Sequence, residues 1–551
     1  MNIISKISVL LFLLAIPILF NSCIKEEFDP NKLDTEFVIN PAVAAPLGYI
    51  HYDLDEILNE SNRAWEITIG QDSLVYLEYE AEVFSQTASE LLQFSEIIHT
   101  GSIMNNSKYE LDLGLIDYSY NLARTDTVNL FLSGTDYTEI DSIQVDSLII
   151  NVNRSSQYPL RGKLILTSPK IRKKYGDKWA YWAAAVPVLG PTQTVTVENV
   201  TIILSHDPPD VNIVPIVFEL RLDQARGIVP EGYSIMNYSM ITTDLDFKAI
   251  YGHLGKMNFT TTPQEILIDF YTDLEEGTFN FAEPRLKFNF ENSFGLPIQI
   301  ITTDLYATSD DGTVTPIEGP GLPSSDNPLI INYPTLEEFG EYAHDSLIIN
   351  HDEANLVEAM KLSPESITFG IEALTNPHDD DTYNFVTSES RLKVISKLIL
   401  PIYGYTGLMN IKDTVMYEFD DFFQNPPEEI KRMALRLNFT NRFPVEIKSQ
   451  IYLLDEYYNV VDSVFDEEYT IDAGRDQDGD GVVEPVKSDP IEVELSRTKI
   501  DHVTISRYLC FKGRLNTYNS DIPENYKFYS FYFLDAYIGV VGDLELNSTG
   551  N

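Results

Sequence analysis

Two stretches in which apolar and polar residues alternate decide the fold class. Residues 146–153 read Asp-Ser-Leu-Ile-Ile-Asn-Val-Asn, and residues 194–202 read Thr-Val-Thr-Val-Glu-Asn-Val-Thr-Ile. A period of two places alternate side chains on opposite faces of a strand. The same pattern covers much of residues 72–250, and the 32 tyrosines and 29 phenylalanines also favour strands. The sequence therefore predicts an all-β protein with minor helical insertions, such as residues 353–362.

Two motifs recur in the second half of the chain at nearly the same spacing. Residues 250–258 (Ile-Tyr-Gly-His-Leu-Gly-Lys-Met-Asn) return at 402–410 as Ile-Tyr-Gly-Tyr-Thr-Gly-Leu-Met-Asn, 152 positions later. Residues 286–294 (Leu-Lys-Phe-Asn-Phe-Glu-Asn-Ser-Phe) return at 435–443 as Leu-Arg-Leu-Asn-Phe-Thr-Asn-Arg-Phe, 149 positions later. Two separate matches at one spacing predict an internal duplication.

The repeats predict the domain organisation. An N-terminal β-rich domain covers residues 37–252, and the two copies form tandem antiparallel β-sandwich-like domains at residues 253–404 and 405–546. Residues 1–22 read as a signal peptide, and residues 23–36 as a lipidated tether. We therefore expect three β-rich domains in series behind a short anchor.

A pair of glycines marks the start of each copy. Gly252 and Gly255 stand at the first boundary, and Gly404 and Gly407 stand at the second. Glycine at the end of a strand indicates a turn, a bulge or a close approach of two backbones. A phosphate-binding glycine loop needs a following helix and a basic residue at the phosphates, and the sequence provides neither. We interpret these glycines as structural.

The N-terminal segment carries the features of an export signal that ends in a lipid anchor. A 14-residue apolar run, too short to span a membrane, leads to Cys23, and Lys25, Glu26 and Glu27 follow. This resembles the lipobox and the basic-then-acidic surface-export tag of Bacteroidota outer-membrane lipoproteins. The resemblance implies lipidation of Cys23 and a position on the outer face of the outer membrane. An ordinary cleaved signal with an incidental cysteine is the alternative.

The charge of the chain limits its partners. Lys and Arg number 38 against 85 Asp and Glu, which gives a net charge of −47. Nucleic acid requires a basic surface, so this balance argues against a nucleic-acid partner. Of the two cysteines, Cys510 lies in an apolar, strand-like run. That run favours a buried small apolar residue over a nucleophile. Acylation of Cys23 would also leave Cys510 without a disulfide partner.

One acidic loop in the second copy has the spacing of a calcium site. Positions 1, 3, 5 and 9 of an EF-hand-type loop are occupied by Asp476, Asp478, Asp480 and Glu484. Position 12, where a glutamate should close the site, is Lys487. The Asp-Gly turn at residues 480–481 also matches residues 311–312 of the first copy, as a shared hairpin turn would. Calcium is the one cofactor that the sequence suggests, and a solvated turn is the alternative.

A basic cluster followed by aromatic residues interrupts the acidic chain. The cluster consists of Lys170, Arg172, Lys173, Lys174 and Lys178. Trp179, Tyr181 and Trp182 follow at once. Basic residues beside Trp and Tyr are typical of a membrane-surface or partner contact. In the alternative interpretation, this segment is a loop whose aromatic side chains fold back onto the core.

The motifs of common catalytic sites are missing from the sequence. The eight histidines form no His-Glu-x-x-His pair, and neither a nucleophile elbow nor a phosphate-binding loop with lysine occurs. We therefore expect a non-catalytic cell-surface lipoprotein that serves as a structural or binding subunit of an outer-membrane assembly, with an outer-membrane β-barrel or other lipoproteins as partners. One alternative is a glycan-binding accessory lipoprotein, which needs a flat aromatic strip. The other is a lipid-binding protein, which needs an apolar groove.

Overall fold

A computed structural model describes the chain in twelve ranges: residues 38–39, 42–54, 65–115, 122–133, 138–175, 177–207, 210–271, 278–378, 383–416, 430–517, 524–544 and 546–547. The described residues fall into two compact units. The first unit comprises the described parts of Met1–Ile57, Asn410–Tyr518 and Tyr532–Asn551. The second unit comprises those of Leu58–Met409 and Asn519–Phe531.

Strands make up most of the described chain. The strands before residue 255 are β1 Val38–Ile39, β2 Ala42–Asp53, β3 Glu66–Ile69, β4 Val75–Thr87, β5 Ile97–Met104, β6 Leu111–Asp112, β7 Leu122–Asn129, β8 Glu139–Ser155, β9 Leu160–Tyr175, β10 Lys178–Pro187, β11 Gln193–Ile203, β12 Ser205–Asp207, β13 Asp210–Ala225, β14 Ile228–Val229 and β15 Ser234–His253. Those up to residue 416 are β16 Asn258–Thr260, β17 Gln264–Leu267, β18 Phe279–Phe281, β19 Arg285–Asn292, β20 Ile298–Ser309, β21 Val314–Pro316, β22 Leu329–Ile331, β23 Ala343–Ile349, β24 Pro364–Thr375, β25 Asn384–Thr387, β26 Arg391–Pro401 and β27 Tyr403–Met416. The remainder are β28 Ile430–Asn441, β29 Val445–Leu454, β30 Val460–Ser463, β31 Tyr469–Ile471, β32 Val486–Lys487, β33 Ile491–Glu494, β34 Tyr508–Thr517, β35 Tyr526–Lys527, β36 Phe533–Leu544 and β37 Leu546–Asn547.

Helices are short and few among the described residues. They are α1 Ala88–Leu91, α2 Leu356–Met360 and α3 Arg497–Ile505, with 3-10 turns at Leu113–Leu115 and Leu336–Glu338. The helical insertion predicted at residues 353–362 is therefore present in shorter form as α2. In the described part of the chain, no helix is long and apolar enough to cross a membrane. The prediction of an all-β fold with antiparallel sheets and minor helical insertions is confirmed.

The largest sheet lies in the second unit and has ten strands. Its main path runs β12-β13-β9-β11-β8-β15-β25, with β10 beside β9, β5 beside β15 and β7 beside β13. The two alternating stretches of the sequence form β8 and β11, which pair antiparallel with Thr194 opposite Asn151. Leu148, Ile150 and Val152 of β8 are buried. The period-two pattern therefore correctly predicts the strands, and these alternate residues of β8 form a buried face.

Smaller antiparallel sheets complete the second unit. One has the order β16-β24-β20-β21 with β17 and β22 at its sides, and another has the order β23-β19-β26-β4-β3. Phe288 of β19 and Phe369 of β24 are fully buried, with ring centroids 6.2 Å apart. A further pairing joins β18 to the first residues of β27. Facing sheets joined by aromatic side chains are the layered arrangement that a sandwich requires.

The first unit is assembled from both ends of the chain. Its main sheet has the order β2-β36-β28-β32, with β33 beside β28, and a second group of strands has the order β34-β29-β30 with β31 beside β29. Strand β2 comes from the predicted domain of residues 37–252, yet it pairs along its whole length with β36 near the C-terminus. The division into three domains stays a prediction.

The recurring motif at 286–294 and 435–443 forms the same local structure in both places. Asn292 ends β19 and Asn441 ends β28, and both side chains are buried. Each asparagine Oδ1 accepts a hydrogen bond from the backbone N–H two residues on, that of Phe294 or Phe443, at 2.9 Å. This side-chain turn satisfies a buried backbone donor where the strand ends. The motif is therefore a strand terminator, and the duplication stays a prediction.

The first glycine of each boundary pair has a structural role. Gly252 lies where the register of β15 against β8 shifts, with φ of +139°, so it forms the expected bulge. Gly404 instead lies where two backbones approach closely, because a Cβ atom there would overlap the carbonyl oxygen of Asn280. Both positions exclude a side chain for steric reasons, as the sequence predicts.

Candidate functional site

The basic and aromatic segment forms a β-hairpin rather than a loop. Strands β9 and β10 pair so that Trp179 lies opposite Lys174 and Tyr181 lies opposite Arg172. Paired residues and residues two apart share a face of a sheet, so these four side chains lie on one face of the hairpin. We call them the hairpin patch.

The aromatic side chains of the hairpin divide between surface and core. Trp179 is 54% exposed and Tyr181 is 64% exposed, whereas Trp182 is 8% exposed. The strand alternation explains this difference, since Trp182 points to the opposite face. The predicted contact surface therefore includes Trp179 and Tyr181, but Trp182 belongs to the core. Lys173 lies opposite Ala180, on the same face as Trp182.

Cations stabilise the exposed rings of the hairpin. The guanidinium carbon of Arg172 lies 5.8 Å from the centre of the Tyr181 ring, and Lys173 Nζ lies 6.0 Å from the centre of the Tyr175 ring. Such cation–π pairs hold the ring faces in place at the surface. In a chain with a net charge of −47, the hairpin patch is a cationic surface that suits an acidic partner.

The predicted calcium loop brings its aspartates together. The carboxylate oxygens of Asp476, Asp478 and Asp480 lie within 4.8 Å of one another, and all three residues are exposed. Asp476 accepts backbone hydrogen bonds from Gly479 at 2.6 Å and Gly481 at 2.9 Å. These bonds, that from Gly481 first, lower the pKa of Asp476.

The remaining carboxylates of this loop also accept backbone hydrogen bonds. Asp480 Oδ1 accepts the Val482 N–H at 2.8 Å, and Glu484 Oε2 accepts the Gln477 N–H at 3.0 Å. Gly481 has φ of +84° and Gly312 of the matching hairpin has φ of +80°, as the shared Asp-Gly turn predicts. The loop is therefore held by its own hydrogen bonds, and calcium binding stays a prediction.

A buried polar cluster that the sequence did not reveal lies between β5, β7 and β15. Asp126 accepts hydrogen bonds from Arg124 Nε at 2.6 Å and from the Tyr238 hydroxyl, and His99 Nε2 lies 2.8 Å from its Oδ2. Burial alone would raise the pKa of Asp126, but the bonds from Tyr238, His99 and Arg124 lower it below its usual value. The Tyr238 ring stacks on Phe218 at 4.1 Å. The cluster is a satisfied core network with a structural role.

A polar groove of about 690 Å³ crosses β5, β15 and β8 in the second unit. Hydroxyl and amide side chains line it in two rows across these strands: Thr100, Ser239 and Asn153 form one row, and Ser102, Asn237 and Ser155 form the next. Arg124 also lines the groove. These groups can hydrogen-bond a polar ligand but include no nucleophile–base pair.

An exposed row of rings in the first unit was also missed. Tyr49 and His51 on β2 lie beside Phe533 and Tyr537 on β36, and these four residues are called the aromatic strip below. Tyr49 and Tyr537 are directly opposite each other, with ring centroids 4.7 Å apart, and each is 50% exposed. Asp535 of β36 lies directly opposite His51, and its side chain is on the same face as the rings. The spacing of two within each strand could have suggested a shared face, but only strand pairing joins residues 49 and 537.

The remaining predicted positions divide between described and undescribed parts of the chain. Cys510 lies on β34, opposite Tyr452 of β29, and is 2% exposed. The prediction of a buried cysteine is therefore confirmed. Cys23, Lys25, Glu26 and Glu27 lie outside the described residues, as do the signal peptide and the tether. The lipid anchor and the export tag therefore stay predictions.

Comparisons with known proteins place this chain in no family. No protein-family model matches it, and no curated protein matches it significantly. Among solved structures, a protein of Parabacteroides distasonis described as secreted aligns over 91% of this chain and 99% of its own, at 8% identity and a TM-score of 0.29. The infectious bursal disease virus Gx strain structure aligns over 90% of this chain and 85% of its own, at 8% identity and a TM-score of 0.14. Alignments this weak assign neither fold nor function.

Proposed function

We propose that this protein is a non-catalytic, lipid-anchored cell-surface protein that serves as a binding subunit of an outer-membrane assembly. The hairpin patch carries the proposal, because it presents two exposed aromatic rings beside two cations on one face of the hairpin. Aromatic residues and arginine are enriched at the centres of protein interfaces. The partner, an outer-membrane β-barrel or another lipoprotein, presents an acidic surface to this patch.

The anchor completes the proposal. An acylated Cys23 holds the chain on the membrane, because each buried methylene contributes about 0.8 kcal/mol. The Lys25-Glu26-Glu27 segment supports a position on the outer face, through its resemblance to surface-export tags. Metabolic labelling with an alkynyl fatty acid should modify the wild type and leave Cys23→Ala unlabelled and released from the membrane. Proteinase K should digest the wild-type protein on intact cells.

The binding role is tested by isolating the tagged full-length protein from its own outer membrane in mild detergent. A stoichiometric acidic membrane partner should accompany the wild type and should be lost from Trp179→Ala/Tyr181→Ala. The matched control is Tyr109→Ala/Tyr457→Ala, which removes two rings that are 80% and 73% exposed elsewhere. The interaction should weaken as salt rises, since exposed charges are screened.

Two results would overturn the binding role. One is recovery of the wild-type protein without a stoichiometric companion. The other is binding of the purified protein, through the hairpin patch, to vesicles of phosphatidylglycerol and phosphatidylethanolamine, which would assign the patch to the membrane surface. The lipid-binding alternative needs an apolar groove, whereas hydroxyl and amide side chains line the groove of about 690 Å³. That alternative therefore stays a prediction.

A further inference from the structure

The outer face of the sheet β2-β36-β28 carries the aromatic strip and the carboxylate of Asp535, which contacts both Tyr49 and His51. His51 lies opposite Asp535, and Tyr49 lies opposite Tyr537, so all four side chains share one face. The opposite face of the sheet is core, where Ile50, Leu534 and Ala536 are among the buried residues. The strip is therefore a feature of the surface of the first unit.

Neighbouring rings of the strip are tilted relative to one another by 25–35°. The Tyr49 and His51 rings are 6.2 Å apart at 26°, and the His51 and Phe533 rings are 5.9 Å apart at 25°. The Tyr49 and Tyr537 rings meet at 35°. Together they form an apolar platform on two neighbouring strands, about 4.8 Å apart.

Asp535 holds the platform in position. Its Oδ1 accepts the Tyr49 hydroxyl at 2.7 Å and lies 2.7 Å from His51 Nδ1. The hydrogen bond to Asp535 raises the pKa of Tyr49 above its usual value. Rings that are already ordered lose little side-chain entropy when a ligand stacks on them.

Polar groups border the platform on the next strand. Asn438 of β28 lies opposite Tyr537, and Thr440 lies opposite Asp535. The Asn438 Oδ1 is buried and has no hydrogen-bond partner among the described residues. The surface therefore combines flat apolar rings with amide, hydroxyl, carboxylate and imidazole groups within one or two strands of each other.

We infer that the aromatic strip is a binding site for a neutral saccharide. A pyranose ring offers a flat C–H face, which can stack on Tyr49 and Tyr537, and hydroxyl groups that can exchange hydrogen bonds at its edges. The carboxylate of Asp535 and the net charge of −47 disfavour an acidic ligand. The same charge disfavours nucleic acid, whose bases could otherwise stack on the rings. The site lies on strands other than those of the hairpin patch, so it does not depend on the proposed assembly role.

The test uses the purified full chain on an array of neutral oligosaccharides of glucose, galactose, mannose and xylose. The strongest hit is then titrated by calorimetry. We expect Tyr49→Ala/Tyr537→Ala to weaken its binding at least tenfold. Tyr537→Ala alone, which leaves the bonds between Tyr49, His51 and Asp535 intact, should weaken it at least threefold. Tyr457→Ala is the matched control in the same unit and should bind as the wild type does.

Three results would overturn the inference. They are the absence of any bound neutral saccharide on the array, unchanged affinity in Tyr537→Ala, and tighter binding of oligogalacturonate than of every neutral saccharide. A proline-rich peptide that competes for the strip would reassign it to peptide recognition. Tyr49→Ala/Tyr537→Ala should keep its membrane partner in the detergent isolation, so failure here is distinguishable from failure of the assembly role.

Discussion

Replacing Asp126 with alanine should destabilise the second unit through three donors left without their acceptor. The side chain of Asp126 is 7% exposed and accepts hydrogen bonds from Arg124 and Tyr238, with His99 as a third neighbour. Tyr238 is 3% exposed, so its hydroxyl cannot turn to bulk water once the carboxylate is removed. We therefore expect a large loss of stability from a single buried position.

The magnitude follows from the burial of each donor. A hydrogen bond to a charged group contributes about 1.5–3 kcal/mol, and breaking a buried charged network costs about 3–5 kcal/mol. The Arg124 side chain is 44% exposed and can rehydrate, so its share is small. Tyr238 and His99 together then account for about 3 kcal/mol of unfolding free energy. Asp126→Asn keeps the size of the side chain and should lose about 2 kcal/mol.

Tryptophan fluorescence during urea unfolding measures the stability of the second unit, which contains Asp126. Trp65, Trp179 and Trp182 are the three tryptophans of the chain, and all lie in the second unit. With a slope of about 3 kcal/mol per molar urea, a loss of about 3 kcal/mol moves the midpoint by about 1 M. Asp146→Ala, an exposed aspartate on β8, is the control and should stay within about 0.5 kcal/mol. A shift no larger than that of the control would refute the reasoning.

The same substitution should change the pH dependence of stability. The pKa of Asp126 is lowered in the folded protein, so its stabilising contribution is complete above the unfolded value of about 3.9 and is lost as pH falls through the folded value. The stability difference between wild type and Asp126→Asn should therefore shrink below about pH 4. A difference that grew as pH fell below about 4 would have the wrong sign.

Three other substitutions test local features. Gly404→Ala should prevent folding of the second unit or destabilise it strongly, because the methyl group would overlap a backbone oxygen of β18. Gly407→Ala is the control: its methyl group has free space, so this variant should melt as the wild type does. Tyr532→Phe removes the acceptor of the Val483 N–H at 2.9 Å, so the first unit should lose about 1–3 kcal/mol, and the Val483 amide should exchange faster. Asp476→Ala should speed amide exchange within its own loop without changing the melting temperature, because the loop is exposed; unchanged loop exchange would contradict this assignment.

The strands and their buried faces could be predicted because they depend on local alternation. Leu148, Ile150 and Val152 are buried where the period of two places them. The recurrence of Asn292 as Asn441 was likewise visible, because each asparagine binds a backbone N–H only two residues away. Patterns confined to a few consecutive residues carry their structural consequence with them.

The aromatic strip and the Asp126 cluster could not be predicted, because they depend on which distant strands become neighbours. Tyr49 and Asp535 are 486 positions apart, and Asp126 and Tyr238 are 112 apart. The split between Trp179 and Trp182 was missed for a simpler reason: the segment was interpreted by composition, whereas strand parity assigns the two rings to opposite faces. Sites built by long-range pairing leave no local spacing to detect.

The pairing of β2 with β36 sets an order for synthesis. The ribosome releases the chain from its N-terminus, so residues 42–53 emerge nearly 500 positions before their partner strand at 533–544. Until then, both edges of β2 lack the partner strand β36, and an unpaired strand edge is a template for aggregation. The second unit is complete much earlier except for its short segment at residues 519–531. A chaperone that shields β2 during this interval should raise the yield of folded protein, and a truncation before residue 533 should leave the first unit unable to close.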